Sequence, residues 1–202
     1  GTTFAKVLAD GGSDVVIWAR RREVAHEITE THRNSGYLPG INLPANLRGH
    51  DSLEHVLDGA EQVYLSVPSQ SLRSNLASIR DILPADVPVV SLMKGVERGS
   101  GLRMSEVIEQ ELGVDRDRIA AVSGPNLALE IAKREPTAAV VASANHDTAV
   151  AVAMIASNDY FRSFVNTDVI GTEFGGVLKN LIAVAVGIAD GVGYGENTKA
   201  SI

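Results

Sequence analysis

The chain has 202 residues, 45% of them hydrophobic, enough to bury a sizeable core in one large domain or in one domain and part of another. A formal net charge of −7 argues against a general nucleic-acid binder, which would present a basic patch. The absence of cysteine excludes disulfides, thiol nucleophiles and thiolate metal sites. It fits a reducing cytoplasm, the location expected here. The longest uninterrupted apolar runs are too short to cross a bilayer, and no signal peptide is visible at the N-terminus. No membrane span is therefore expected.

Residues 2–10 read as a helix ended by Gly11-Gly12. DVVIWA (14–19) is a short apolar run of strand type, and 22–33 reads as a charged helix. The segment 34–50, rich in Gly, Pro and Asn, is expected to be loop. A short helix at 52–58 precedes a strand at 62–67 that Pro68 stops. Helix 69–82 leads to strand 87–93, helix 102–112 to strand 118–123, and helix 126–133 to strand 137–143. Helix 146–156 leads to the strand-like 161–166. From about Thr172 a long helix begins and no further strand is readable. The alternation predicts an α/β fold, a mainly parallel sheet with helices on both faces. The start of an all-helical domain is expected to follow. Residues 1–168 are expected to form the first domain and 169–202 the beginning of the second. The chain opens on Gly1 and ends in TKASI, a polar stretch that looks ready to continue, so a piece trimmed at both ends is expected.

An open parallel sheet binds ligands beyond the carboxyl ends of its strands. After DVVIWA come Arg20, Arg21 and Arg22. In a dinucleotide-binding unit an acidic residue about 20 positions past the glycine fingerprint accepts bonds from the adenosine ribose. If Gly1 is the last glycine of such a fingerprint, Arg20 falls near that position. Arginines cannot accept ribose hydroxyls but can grip a 2′-phosphate, which favours NADP over NAD. A solvated helix start explains the same residues equally well. Pro68 follows the next strand, Lys94-Gly95 the one after, and Gly124-Pro125 the one after that. Lys94 sits where substrate or nicotinamide would lie. An ordinary strand-to-helix turn explains any one of these, but several on one sheet edge point to a ligand.

GGVLKN (175–180) places Lys179 in a helix apolar over most of its circumference. That helix is expected to be buried, where an unpaired ammonium is costly. The lysine persists if it snorkels, pairs with a carboxylate such as Glu173, or faces a polar cleft. Burial would lower its pKa towards the range useful for proton transfer. Asn180 adds a second polar group, and a cleft between the sheet domain and this helix accommodates both. His26, His32, His50, His55 and His146 lie in charged or loop contexts, and no metal site is expected.

GTTFA, VVIWARR, NSGYLPG, SVPSQ, LMKGVE, SGPNLALE, PTAAVVAS, GGVLKNLIAVAVGIADG and GYGENTKA run through nearly the whole chain. In this order they resemble NAD(P)-dependent glycerol-3-phosphate dehydrogenase of the bacterial type. The resemblance implies a Rossmann domain followed by an all-helical substrate domain. It implies reduction of dihydroxyacetone phosphate to sn-glycerol 3-phosphate with NADP or NAD, a precursor step of glycerophospholipid synthesis, in a homodimer. It makes Lys179 the proton donor and acceptor and puts Lys94 near both cofactor and substrate. Gly124 and Asn126 match substrate-contacting positions, with Asn180 beside Lys179. Asn126 departs from the usual serine or threonine. Ala128 matches a cofactor contact, and Arg20, Arg21 and Tyr37 lie around the adenosine half, with Gly1 and Pro68 counted among the cofactor-facing residues. The first phosphate-loop glycines would precede Gly1, and later residues holding glycerol phosphate would follow Ile202. The 202-residue piece alone is thus expected to have little activity. The alternatives are a related two-domain hydroxy-acid or hydroxyacyl dehydrogenase and a non-catalytic nucleotide-binding module.

Overall fold

The computed structural model describes residues 1–202. Its first half runs α1 (Thr2–Asp10), β1 (Val15–Trp18), α2 (Arg22–Thr31), β2 (Leu47–His50), α3 (Leu53–Leu57), β3 (Val63–Leu65), α4 (Leu72–Ala77) and β4 (Val89–Ser91). There follow α5 (Met104–Leu112), β5 (Ile119–Ser123), α6 (Ala128–Ala132), β6 (Thr137–Ser143), α7 (His146–Ala156), β7 (Phe161–Asn166), α8 (Val169–Val192) and α9 (Glu196–Ala200). The alternation of helix and strand is as expected.

Strands β3-β4-β5-β6-β7 form one sheet in that order. All neighbours are parallel except β5 and β6. A parallel return needs a crossover of about a dozen residues or more, usually helical. Between β5 and β6 lie residues 124–136, of which only the five of α6 are α-helical, and the chain turns back antiparallel. Side chains alternate across the sheet. Val89 and Ile119 join Leu72, Leu76, Met104, Val107 and Ile108 on the side covered by α4 and α5. Val90 and Ala120 join Val7, Val152 and Phe161 on the side covered by α1 and α7. Adjacent apolar residues thus serve opposite cores, which explains strands that read as continuous apolar runs.

Three expectations are corrected. The segment 34–50 is not all loop: Leu47–His50 pairs in parallel with β1. Its sequence, LRGH, buries only Leu47, so it carries no alternating apolar signal. Gly49 is needed there, because a Cβ would lie 2.7 Å from the Ala25 carbonyl oxygen of α2. The second correction concerns 69–82, where only a single turn of 3₁₀ helix (Ser69–Ser71) and α4 form. The third concerns the long helix. It starts at Val169, where Asp168 Oδ1 accepts the Gly171 amide at 2.8 Å. It is not buried: only Glu173 and Ala189 are. It is 24 residues long and an 18-residue window in it reaches a mean hydropathy of 1.5, long and apolar enough to cross a membrane. Counting uninterrupted runs misses this because Lys179-Asn180 splits the run without lowering the average much.

β1 and β2 form a separate two-stranded sheet. Between β1 and β3 lies a slot of about 550 Å³ walled by residues such as Phe4, Leu8, Val15, Ile17, Val63 and Leu65. Gly1 sits at one end of it: a Cβ there would lie 3.9 Å from Ile17 Cδ1 and 3.7 Å from Ser66 Cβ.

Candidate active site

Because β3, β4 and β5 run parallel, the turns that follow them share one sheet edge. Gln70, just past Pro68, fastens two of these turns together. Its Nε2 donates to the Val96 carbonyl at 2.8 Å, and its Oε1 accepts the Arg98 amide at 3.0 Å. Arg73 of α4 grips Glu97 through two hydrogen bonds of 2.9 Å. These bonds, with one from Ser100, hold the Glu97 carboxyl down at about 2. The turn carrying Lys94 is therefore tied at Val96, Glu97 and Arg98.

Lys94 Nζ donates to the Gly124 carbonyl at 2.7 Å, joining the ends of β4 and β5. Gly124 has no room for a side chain, since a Cβ would lie 2.8 Å from the Ala138 carbonyl oxygen and 3.1 Å from Ala139 Cα. Asn126 Oδ1 is buried without a hydrogen-bond partner. An unsatisfied buried amide oxygen is costly, so this acceptor next to Gly124 suits a ligand that brings a hydrogen-bond donor.

Helix α8 closes the site from above. Its Gly176 would place a Cβ 2.6 Å from Ser123 Oγ and 3.3 Å from Lys94 Cγ, so the helix backbone lies directly on the end of β5. Lys179, one turn further along, shares that face of the helix. Burial holds the Lys94 ammonium below the usual lysine range, and the charge of Lys179 pushes the same way. Lys179 itself is exposed, as is Asn180, contrary to the expectation of a buried lysine. Within the 202 residues α8 packs mainly on β5, β6 and α9, and the stretch around Lys179 is left open. Nor does Glu173 pair with Lys179; it bonds to Arg103 and Ser105.

The other sequence candidates form a second group. Arg20, Arg21 and Tyr37 are exposed near the end of β1. Arg21 Nη2 donates to the Tyr37 hydroxyl at 3.4 Å, and its guanidinium lies 5.8 Å from the ring centroid. Neither Arg20 nor Arg21 makes an ion pair, so apart from the Arg21 Nη2 bond to Tyr37 their donors can meet an anion such as a 2′-phosphate. Gly1 and Pro68 lie along the edge between the two groups, and exposed Ala128 opens α6 beside Asn126. The structure thus unites Lys94, Gly124, Asn126 and α8, and keeps Arg20, Arg21 and Tyr37 apart at the far end. Sequence reasoning missed Gln70, Ser123 and Gly176. For Gly176 a signal existed: paired glycines inside a helical pattern mark a close backbone approach.

A mainly parallel sheet covered on both faces, with its polar turns gathered on one edge, defines a Rossmann-like α/β protein joined to a helical element. Residues 1–149 match the family model described as NAD-dependent glycerol-3-phosphate dehydrogenase N-terminus, and residues 168–202 match the model of its C-terminus. The chain belongs to the NAD-dependent glycerol-3-phosphate dehydrogenase family. It is 69% identical over its whole length to glycerol-3-phosphate dehydrogenase [NAD(P)+] of Leifsonia xyli subsp. xyli, covering 55% of that protein. It is 52% identical to the Streptomyces avermitilis protein of the same name, covering 60% of it. Among solved structures it is similar to glycerol-3-phosphate dehydrogenase of Coxiella burnetii, at 32% identity and a TM-score of 0.85, with 99% of this chain and 61% of that one covered. The Saccharomyces cerevisiae enzyme superposes with a TM-score of 0.88 at 28% identity, over 100% of this chain and 63% of that one. The chain therefore spans a little over half the length of its relatives.

Proposed function

We propose that the intact protein reduces dihydroxyacetone phosphate to sn-glycerol 3-phosphate with NADPH or NADH, NADPH being favoured, and so supplies glycerophospholipid synthesis. One observation supports the reading: Lys94 Nζ is fixed at 2.7 Å from the Gly124 carbonyl, and Lys179 of α8 is near enough for its charge to act on Lys94. Two ammonium groups and an orphaned Asn126 amide suit a substrate that pairs a phosphate with a reducible carbonyl.

The bound nicotinamide would supply hydride to the carbonyl carbon. Lys179 gives its proton to the carbonyl oxygen as negative charge develops there, and in reverse the neutral amine takes it back. Lys94, held by Gly124, keeps its remaining donors for substrate. Arg20 and Arg21 would hold the adenosine end, which distinguishes NADPH from NADH by its 2′-phosphate. Gly1, Pro68 and Ala128 line the path between. We assign the exposed apolar side of α8 to further helices of the intact protein, and propose a cytoplasmic homodimer. Family membership favours this reading over a hydroxy-acid dehydrogenase or a nucleotide-binding module.

The test is oxidation of NADPH by the intact protein with and without dihydroxyacetone phosphate, repeated with NADH, and in the reverse direction reduction of NADP+ or NAD+ with 2-hydroxy or 3-hydroxy acids. Oxidation that depends on dihydroxyacetone phosphate is expected. Turnover of the hydroxy acids alone would replace the reading, and binding without turnover would leave a module.

A further inference from the structure

Glu173 is the one buried acidic side chain of α8, only 6% exposed. Both of its oxygens are taken up at the start of α5. Oε1 accepts the Ser105 amide at 3.0 Å, and Oε2 accepts Ser105 Oγ at 2.6 Å and Arg103 Nη1 at 2.7 Å. The Ser105 amide is one of the first N–H groups of a helix, which lack partners within it. The residue at the capping position, Arg103, offers no side-chain acceptor. A carboxylate from 68 residues further along the chain caps α5 instead, where the helix dipole favours negative charge.

A buried ion pair is a weak source of stability, because desolvation offsets the attraction; its better-attested use is fixing geometry. The geometry here is specific. Gly176 is a neighbour of Glu173 on one side and of Lys179 on the other, three residues from each, so it stands between the buried carboxylate and the exposed lysine. Glu173 is bonded to α5, Gly176 rests on Ser123 and Lys94, and Lys179 comes next in line. Two fixed points set both the rotation and the register of a helix that otherwise packs on β5, β6 and α9. We propose that Glu173 is a positioning residue: bonded to Arg103 and Ser105, it locks α8 on the sheet domain so that Lys179 is delivered to Lys94.

The kinetic part of the test rests on the function proposed above, and an exchange measurement is independent of it. Glu106 serves as the control. It also pairs with Arg103, at 2.9 Å, and accepts the Arg103 amide at 2.9 Å, yet it belongs to α5 and its bonds stay within the start of that helix. In the intact protein Glu173→Gln keeps the shape but removes the charge. A fall in kcat of about 10- to 100-fold is expected, the scale set by small misplacements of a catalytic group. The alkaline limb of the kcat–pH profile is expected to move, while NADPH affinity stays unchanged. Glu106→Gln is expected to lower Tm and leave kcat and its pH profile alone. Ser105→Ala, a milder change, guards against misfolding and is expected to shift kcat in the same direction by less. Without substrate, hydrogen exchange in Glu173→Gln is expected to quicken across 169–180 and not across α7. Equal kcat losses in Glu173→Gln and Glu106→Gln would show that only the stability of α5 matters and would overturn the proposal. So would unchanged exchange across 169–180. If the wild type fails to turn over dihydroxyacetone phosphate, the functional reading falls and the exchange result alone decides.

Discussion

Lys94 shows how a side chain with a proposed role in the site can burden the fold. Burial, and then the charge of Lys179, depress its pKa below the ordinary 10.5. Between the lowered value and 10.5 the unfolded chain binds more protons than the folded one, so stability rises with pH there. Below that window the charged ammonium costs stability in full. Lys94→Met is therefore expected to raise Tm at pH 7, with the gap to wild type narrowing as pH approaches 10.5, while abolishing most activity. Thermal unfolding followed by circular dichroism across this range checks it. Lys94 and Gly124 were legible in the sequence because both directly follow readable strands, where a parallel sheet places its ligand. The partners of Glu173 were not. Arg103 and Ser105 stand 70 and 68 residues away, and no local pattern announces such a bond. A pairing with Lys179, one of the three alternatives open for that lysine, was the nearest one on the helix, and the tertiary contact prevailed.

The elements themselves were readable wherever an apolar core fixed them. Val89-Val90 and Ile119-Ala120 belong to strands buried on both faces and read clearly. β2 did not, since its Gly49 is chosen for the close passage of α2 and not for β propensity. The burial of α8 was overstated because apolar content marks a surface to be covered without saying what covers it. Turns are held by charge instead. Arg73 bonds to Glu97 and, at 2.8 Å, to Glu111, tying α4, α5 and the Lys94 turn. With the folded carboxyl of Glu97 at about 2 against 4.5 when unfolded, its contribution is present above 4.5 and is lost as pH falls towards 2. Glu97→Gln is expected to flatten the pH dependence of stability between those values. Urea unfolding at pH 2.5, 3.5, 4.5 and 6 measures it, and an unchanged slope would count against the pairing.

At the scale of the molecule, the slot between β1 and β3 separates the two sheets with an apolar wall on each side. Val15 and Ala19 donate their amides to β2 and its flank, and Val63 donates to Pro88. By alternation, the amides of Val16, Trp18 and Tyr64 face the slot. They are expected to exchange with solvent faster than those of β4 and β5 in the 202-residue chain, and to become protected in the intact protein if a further strand fills the gap. Protection already present in the 202-residue chain would mean that the sheets close on each other. Around this frame, the sheet edge collects the residues that the proposed chemistry requires, and α8 supplies the last of them. The most direct test is the Lys179→Ala variant of the intact protein, assayed for NADPH oxidation with dihydroxyacetone phosphate. A fall in kcat of about 10²- to 10⁴-fold, the range of a lost general acid, with NADPH affinity and Tm unchanged, is the predicted result. A kcat close to that of the wild type would contradict the role assigned to this lysine.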